Sequence, residues 1–170
     1  MKLGSVEAVV RALNGAGVRF LVAGGLAVNA HGYLRFTKDA DLVLDLEPGN
    51  VKRAFEALGP LGYRPSVPIT ADGFADAEQR ERWIREKNMR VLQFWSDDHR
   101  ETPLDVFVQA PFAFGEEYGR ALVKELGEAG PVRFVSLRTL IRMKEHAGRP
   151  EDRIDIEHLT MRLEDDETAS

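Results

Sequence analysis

The stretch that decides the fold runs from residue 19 to residue 46 and reads RFLVAGGLAVNAHGYLRFTKDADLVLDL. Its first residues, Arg19 to Ala23, form a short apolar run that predicts a buried strand. The glycine pair Gly24-Gly25 follows at once, and Leu26 to Ala30 is typical of the start of a helix. After a loop, Asp39 to Leu46 predicts a second strand. This order of elements indicates a domain with mixed α and β structure.

Two carboxylates, Asp39 and Asp41, stand at the start of the second predicted strand. Residues two apart on a strand share one face, and their Cα atoms lie about 6.5–7 Å apart. Carboxylates so placed can bind a pair of Mg²⁺ ions, which lie roughly 3.5–4 Å apart in two-metal sites and prefer oxygen ligands. The spacing alone is equally compatible with two aspartates in a turn before the strand.

A third acid, Asp105, interrupts a later apolar run, Leu104 to Val108. Leu104, Val106 and Val108 fall on the opposite face of that strand. If this strand neighbours the one that carries Asp41, three carboxylates converge, and they repel one another unless cations neutralise them. The alternative for Asp105 is a position on an edge strand that faces water.

The glycine pair and two nearby cations suggest an anion site. Glycine lets backbone N–H groups approach an anion closely, and a strand-to-helix turn suits the phosphates of an NTP. Arg35 and Lys38 come just before the acidic pair, and arginine can contact phosphate with two hydrogen bonds. Each of these features has an ordinary alternative, a simple turn for the glycines and a surface charge for the cations.

Strand and helix signals alternate in the first part of the chain and become mainly helical later. Further strands are predicted at 91–95, 104–108 and 132–135, and further helices after Pro48, Ser136 and Pro150. We therefore expect an α/β (α+β) fold with a core over residues 1–110, a helical extension over 111–162 packed on the core, and a disordered acidic tail over 163–170.

Composition sets limits on the function. The 170 residues include no cysteine, which excludes disulfides, thiolate metal sites and cysteine nucleophiles and suits a reducing cytoplasm. We expect no membrane span and no signal peptide, because no long apolar run occurs. The net charge is −5, and the run Glu164 to Glu167 supplies most of it, so the rest of the chain is nearly neutral. A neutral body disfavours a broad electrostatic grip on nucleic acid.

Together the motifs resemble a known superfamily. The residues that carry the resemblance are Gly24-Gly25-Leu-Ala and then His31-Gly32-x-x-Arg35-x-Thr37-x-Asp39-x-Asp41-Leu. The pattern resembles the nucleotidyltransferases, the superfamily that includes DNA polymerase β. It looks most similar to the AbiEii-type, minimal and aminoglycoside or lincosamide branches, which have Gly-Gly where polymerase-type members have Gly-Ser. The resemblance implies a mixed β-sheet flanked by helices, with Asp105 as the family's third carboxylate.

The resemblance also implies a role for each matched residue. Asp39, Asp41 and Asp105 would bind two Mg²⁺ ions, and Asp105 would also help to deprotonate the acceptor. The residues implied to bind the nucleotide are Gly24, Gly25, Arg35, Thr37 and Lys38. The residues implied to act in catalysis are Asp39, Asp41, Asp105 and Lys144.

A downstream segment, Leu140 to Leu159, is similar to the lysine and aspartate motifs of AbiEii-like members. It implies that Lys144 contacts the triphosphate or assists the reaction, although a lysine on a helix is as often a solvated side chain. Asp152 follows Pro150 in the first turn of a helix, where an acid stabilises the helix dipole whatever the function. A structural role for Asp152 and Asp155 therefore stays open. For His31 we expect a contact with backbone carbonyls.

The implied activity is transfer of NMP from an NTP to a hydroxyl or phosphate acceptor, with release of pyrophosphate. A tRNA, a protein or a small molecule such as an antibiotic would fit as acceptor, and a toxin-like member would have an antitoxin partner. One alternative is a non-catalytic nucleotide-binding or partner-binding module with a degenerate fold. Another is a metal-dependent phosphodiesterase or nuclease, although the four histidines show no ligand spacing.

Overall fold

A computed structural model describes residues 1–169 and contains a seven-stranded mixed sheet. The strands are β1 (Phe20–Ala23), β2 (Ala40–Leu44), β3 (Arg64–Pro65), β4 (Val91–Trp95), β5 (Leu104–Phe107), β6 (Leu122–Glu125) and β7 (Pro131–Phe134). Their order across the sheet is β3-β4-β5-β2-β1-β7-β6. The β2–β5 and β1–β7 pairs are parallel, and the other neighbouring strands are antiparallel.

Within residues 1–169, eight α-helices flank the sheet. They are α1 (Leu3–Gly15), α2 (Gly24–Ala30), α3 (Pro48–Leu58), α4 (Ala71–Ala75), α5 (Ala77–Lys87), α6 (Phe114–Arg120), α7 (Leu137–Ala147) and α8 (Asp152–Ala169). Short 3₁₀ turns occupy Gly59–Leu61 and Gly127–Ala129. Pro48 is the first residue of α3, and the Glu47 side chain caps this helix by accepting hydrogen bonds from the backbone N–H groups of Gly49 and Asn50.

Each face of the sheet packs on its own hydrophobic core. On one face, Leu42, Leu104 and Val106 belong to a core with residues of α1, α3 and α4. On the other face, Val43 packs with residues of α2, α7 and α8. Phe107 lies against this second core, whereas Val106 belongs to the first, so β5 alternates between the two cores as a strand must. The prediction of a mixed sheet flanked by helices is confirmed.

The expected division of the chain needs two corrections. Strands β6 and β7 come from the segment 111–162 that was expected to be a helical extension, and β7 pairs with β1, so this segment completes the sheet. Helix α8 continues to Ala169, so residues 163–169 are helical where a disordered tail was expected, and Ser170 lies outside the described residues. Among residues 1–169, no helix is both long and apolar enough to cross a bilayer.

Candidate active site

Two of the three predicted carboxylates are direct neighbours across the sheet. In the parallel β2–β5 pair, the Cα of Asp41 is in register with the Cα of Asp105, and adjacent strands lie about 4.8 Å apart. Both side chains are on the face that packs with α2, α7 and α8, because Val43 and Phe107, two residues further on, contribute to that core. The two carboxylates therefore share one face, as the apolar residues around Asp105 indicated.

Asp39 completes this group from the residue just before β2. Burial, followed by the charges of Asp105 and Asp39, raises the pKa of Asp41 to about 7. Burial and the charge of Asp39 also raise the pKa of Asp105. Asp39 thus disfavours ionisation of both other acids, and Asp105 disfavours ionisation of Asp41, as expected where carboxylates converge. We call Asp39, Asp41 and Asp105 the carboxylate group.

The glycine pair creates the space into which the site side chains fit. Gly24 has φ +60°, and a Cβ at this position would overlap the carboxylate of Asp41. A Cβ on Gly25 would overlap the side chain of Thr37 and would lie 3.4 Å from Nη1 of Arg35. The turn at the end of β1 therefore requires glycine because two side chains from the later loop and strand pack against its backbone. The phosphate role of these glycines stays a prediction.

The donor set of the carboxylate group fits Mg²⁺. Across residues 1–169, no three His, Cys, Asp or Glu side chains converge closely enough to ligate one metal ion as they stand. Asp39, Asp41 and Asp105 nevertheless supply only hard oxygen donors, which Mg²⁺ prefers, and Mg²⁺ completes its octahedral shell with water and substrate oxygens rather than with protein alone. Two divalent cations would also relieve the repulsion that raises the pKa of Asp41.

The other residues predicted to bind nucleotide lie along the loop before β2. Arg35 is half-buried and reaches the glycine turn, whereas Lys38 is exposed. The Thr37 hydroxyl donates a hydrogen bond to the backbone carbonyl of Asp39 at 3.3 Å, which ties the loop to the start of the carboxylate group. The structure therefore brings Arg35 and Thr37 to the glycine turn and leaves Lys38 towards solvent.

Lys144 lies in a buried ionic cluster that joins α7 to α8. Its side chain is 5% exposed, and its Nζ lies 3.1 Å from Oδ1 of Asp152 and 2.8 Å from Oδ2 of Asp155. A lysine held between two buried carboxylates is not the solvated side chain that is the usual fate of a helix lysine. Its charge still reaches the carboxylate group, because it lowers the pKa of Asp41.

The cluster also contains two arginines. Nη2 of Arg35 donates to Oδ2 of Asp155 at 2.8 Å, and Nε of Arg35 lies 2.8 Å from Oδ1 in an ion pair that lacks hydrogen-bond geometry. Arg149 donates to Asp152 through Nε at 3.0 Å and Nη2 at 3.3 Å. We call Arg35, Lys144, Arg149, Asp152 and Asp155 the ionic cluster.

Sequence reasoning did not assign a function to Arg149 or Gln93. The charge of Arg149 lowers the pKa of Asp41, which places this arginine within electrostatic reach of the site. Gln93, on β4, is in register with Asp105 and donates a hydrogen bond to its Oδ1 at 3.3 Å. The i, i+3 spacing of Asp152 and Asp155 was a usable signal for the cluster, because that spacing puts both acids on one helix face. Gln93 gave no such signal.

His31 contributes to the fold rather than to the carboxylate group. Its Nε2–H donates to the backbone carbonyl of Val135 at 2.8 Å, in agreement with the expected contact to a backbone carbonyl. Burial lowers the pKa of His31 and so favours the neutral form of the ring. Trp83 packs against the first core, and Trp95 is 46% exposed on the same face of β4 as Gln93.

The architecture is that of solved nucleotidyltransferases. No protein-family model matches the sequence, and no curated protein matches it significantly. The comparison of solved structures, in contrast, finds several chains with the same fold at low sequence identity. Such a likeness defines the fold class, in which a mixed sheet is flanked by helices, as the sequence resemblance implied.

The particular structures are enzymes that modify antibiotics. The solution structure of the antibiotic-resistance factor ANT(2'')-Ia has a TM-score of 0.60 and 16% identity, and the match covers 95% of this chain and 83% of that chain. A crystal structure of ANT(2'')-Ia in complex with adenylyl-2''-tobramycin has a TM-score of 0.55 and 16% identity, with 92% and 86% covered. The lincomycin-bound lincosamide antibiotic adenylyltransferase LnuA has a TM-score of 0.54 and 14% identity, with 86% and 89% covered. The expected closeness to AbiEii-type members gains no support here and stays a prediction.

Proposed function

We propose that this protein is a nucleotidyltransferase that moves NMP from an NTP to a hydroxyl or phosphate oxygen of an acceptor. The acceptor oxygen attacks the α-phosphorus, the bond from that phosphorus to the bridging oxygen of the β-phosphate breaks, and pyrophosphate leaves with the bond electrons. The proton of an acceptor hydroxyl passes to a carboxylate oxygen of Asp105. The products are the nucleotidylated acceptor and pyrophosphate.

The observation that carries the proposal is the register of Asp41 with Asp105 beside Gly24. Two partly buried acids on neighbouring strands, each with a pKa raised by burial and by a neighbouring acid, are costly in a fold, and functional sites are where such costs concentrate. Asp39, Asp41 and Asp105 would hold Mg²⁺. When bound, the metal neutralises the carboxylates and the charge that develops on the transferring phosphoryl group. The raised pKa of Asp105 makes its carboxylate a stronger base than an ordinary aspartate.

The nucleotide side of the site would consist of the glycine turn and the loop before β2. The backbone of Gly24 and Gly25 faces the carboxylate group, and Arg35 and Thr37 pack against it. Arginine suits phosphate because its planar guanidinium donates two parallel hydrogen bonds. Lys38, exposed next to Asp39, would add a mobile cation near the phosphates. Lys144 is buried, so it would act through the electrostatic effect of its charge and through its ion pairs with Asp152 and Asp155 rather than by direct contact with the nucleotide.

For the acceptor we propose a small molecule. The neighbours ANT(2'')-Ia and LnuA carry a nucleotidylated aminoglycoside and a lincosamide, respectively. Apart from the acidic run Glu164 to Glu167 the chain is nearly neutral, which disfavours a large RNA as acceptor. The toxin-like role and its antitoxin partner gain no support from these neighbours, so the proposal includes neither. The cytoplasm is the compartment that supplies NTP and Mg²⁺.

The test is a transfer assay with purified protein, Mg²⁺ and each of the four NTPs labelled at the α-phosphate. Candidate acceptors are aminoglycosides, lincosamides, bulk tRNA and a small-molecule fraction of cell extract, analysed by mass spectrometry for addition of one NMP. Matched reactions contain the D41N variant or EDTA. We expect a product of acceptor plus NMP that requires both Asp41 and the divalent ion.

Two negative outcomes distinguish the alternatives. Tight NTP binding that persists in D41N, with no product from any acceptor, would favour a non-catalytic nucleotide-binding module. Metal-dependent hydrolysis of nucleic acid without transfer would favour a phosphodiesterase or nuclease. Pyrophosphate release that is measured in parallel separates transfer from simple hydrolysis at the terminal phosphate.

A further inference from the structure

The ionic cluster couples the end of the chain to the loop that precedes the carboxylate group. Arg35 and Asp155 are 120 residues apart in sequence, yet Nη2 of Arg35 and Oδ2 of Asp155 are 2.8 Å apart. The Asp155 side chain is only 3% exposed. A buried carboxylate that contacts both Arg35 and Lys144 has little freedom to move, so it fixes the direction of the guanidinium.

The direction in which Arg35 is held is towards the glycine turn. Asp155 engages Nε and Nη2 of Arg35, and the remaining Nη1 lies 3.4 Å from the position of a Cβ on Gly25. The same Nη1 donates to the backbone carbonyl of Phe36 at 2.8 Å, which holds the edge of the guanidinium against the loop. The outer edge of Arg35 thus faces the region proposed to receive the nucleotide.

Arg149 is held in the same manner by the other buried carboxylate. Asp152, with a side chain that is 1% exposed, accepts hydrogen bonds from Nε, Nη2 and the backbone N–H of Arg149. The Arg149 side chain itself is 60% exposed, so its outer edge is available to a ligand. Asp152 shares Lys144 with Asp155, the carboxylate that holds Arg35, so Arg149 belongs to the same cluster as the arginine at the glycine turn. Glu151 approaches Arg149 only loosely, at 3.9 Å.

From this arrangement we infer that Arg35 and Arg149 form a pair of polyphosphate-binding arginines, positioned respectively by Asp155 and Asp152 of α8. Lys144 lies between the two aspartates, pairs with both carboxylates and holds them at a fixed separation. Arg149 is a binding residue in this inference, and the two aspartates are positioning residues that do not touch the ligand. The inference rests on the proposed function and names the groups that bind the triphosphate of its NTP.

The test is a crossed set of double-mutant cycles on NTP affinity, measured by calorimetric titration of the folded protein with each of the four NTPs in Mg²⁺. The single variants are R35A, R149A, D155N and D152N. The matched doubles are R35A/D155N and R149A/D152N, and the mismatched doubles are R35A/D152N and R149A/D155N. If the aspartates had only a structural role, their variants would be less stable, but the matched and mismatched double variants would lose NTP affinity to the same extent.

We expect each single variant to weaken NTP binding about 10-fold, which is the size of one lost charge-assisted hydrogen bond. Each matched double should be no weaker than its arginine single, because the aspartate acts only through that arginine. Each mismatched double should lose about 100-fold, because independent effects multiply. Matched and mismatched doubles with equal losses would overturn the inference and leave the proposed function intact.

Two further outcomes are decisive. If the wild-type protein binds none of the four NTPs, the inference and the proposed function both fail. If D155N or D152N does not fold, the variants R35K and R149K, which retain the charge but not the planar fork, replace them. Wild-type affinity in both lysine variants would then overturn the inference, and a loss of about 10-fold in each would support it.

Discussion

The molecule holds two sets of aspartates, one partly buried and one fully buried, that differ in what surrounds them. In the carboxylate group, Asp41 and Asp105 lie in register on neighbouring strands, and burial together with neighbouring acids raises the pKa of both. In the ionic cluster, burial alone would raise the pKa of Asp152, but the hydrogen bonds of Arg149 and Lys144 outweigh it and lower that pKa. Among residues 1–169, no cationic side chain forms an ion pair with the first set, whereas Arg35, Lys144 and Arg149 pair with the second.

This difference distinguishes acids that stabilise the fold from acids that we propose to bind a cation. A carboxylate whose cations come from the protein is neutralised in the folded chain and contributes to one arrangement of helices. Carboxylates that repel one another have raised pKa values, and their charged forms destabilise the fold unless a bound cation neutralises them. We therefore propose metal binding for Asp39, Asp41 and Asp105, and a structural role for Asp152 and Asp155.

The largest effect should come from removal of one acid of the carboxylate group. The D105N variant retains the size of the side chain, but its amide cannot take up the proton of the acceptor hydroxyl. We therefore expect the transfer rate to fall about 10³-fold, which is within the usual range for loss of a general base. The matched control is D45N, because Asp45 follows the other end of β2 and pairs with the exposed Arg19. Equal rates in D105N and wild type would contradict the assignment.

The second effect concerns stability and comes from the ionic cluster. Lys144→Met leaves Asp152 and Asp155 buried with one cation fewer, and the free energy of unfolding should fall by about 3–5 kcal/mol. Urea denaturation followed by circular dichroism measures this change. Lys2→Met is the surface control, because the Lys2–Glu101 pair is largely exposed and should contribute less than about 1 kcal/mol. Similar losses of unfolding free energy in Lys144→Met and Lys2→Met would contradict the distinction between the buried cluster and an exposed ion pair.

The sequence predicted the local features of this contrast but not the contacts between residues that are distant in sequence. The face shared by Asp39 and Asp41 follows from the two-residue period of a strand, and the isolation of Asp105 among apolar residues marked it as well. The Asp41–Asp105 register depends on which strands pair, and local pattern does not encode strand pairing between distant segments. The burial of Lys144 depends on the packing of α7 against α8, which the helix period alone could not reveal.

The same limit explains the corrections to the chain's division. A short strand is predicted at 132–135, and the structure places it at Pro131–Phe134. Its pairing with β1, and so its membership of the sheet, is a long-range contact. The acidic run from Glu164 to Glu167 predicted a solvated tail on composition. The structure continues α8 through it, and Arg162 pairs with Asp166 one turn later.

A third, smaller effect tests why the turn at the carboxylate group needs glycine. Gly24→Ala should cost about 1–2 kcal/mol for its left-handed backbone. It should also displace Asp41, with a further loss of transfer rate of about 10²-fold. Gly17→Ala is the matched control, because Gly17 has φ +68° but a Cβ there meets nothing within 4 Å. The control should lose stability only. A normal rate in Gly24→Ala would show that Asp41 does not depend on this space.

The smallest effect extends the contrast to an acid satisfied by hydrogen bonds. Glu117 is fully buried, and although burial opposes its charge, hydrogen bonds from Ser136, Arg120 and Thr139 lower its pKa below the ordinary 4.5. A folded-state pKa below the unfolded value stabilises the protein above pH 4.5, and this contribution is lost as the pH falls through the folded-state pKa.

E117Q should therefore be less stable than wild type by about 1–3 kcal/mol at neutral pH, with a gap that narrows below the ordinary pKa. Urea denaturation at a series of pH values measures this gap. E116Q, at the exposed neighbouring residue, should match wild type at every pH. A gap between E117Q and wild type that stays constant with pH would contradict the linkage.

The most direct test of the central claim is a crystal structure with Mn²⁺ in place of Mg²⁺ and a non-hydrolysable NTP analogue, with anomalous scattering used to locate the metal. We predict metal density within coordination distance of carboxylate oxygens from both Asp41 and Asp105, and loss of that density in crystals of D105N. Density that is unchanged in D105N, or that lies away from β2 and β5, would contradict the claim.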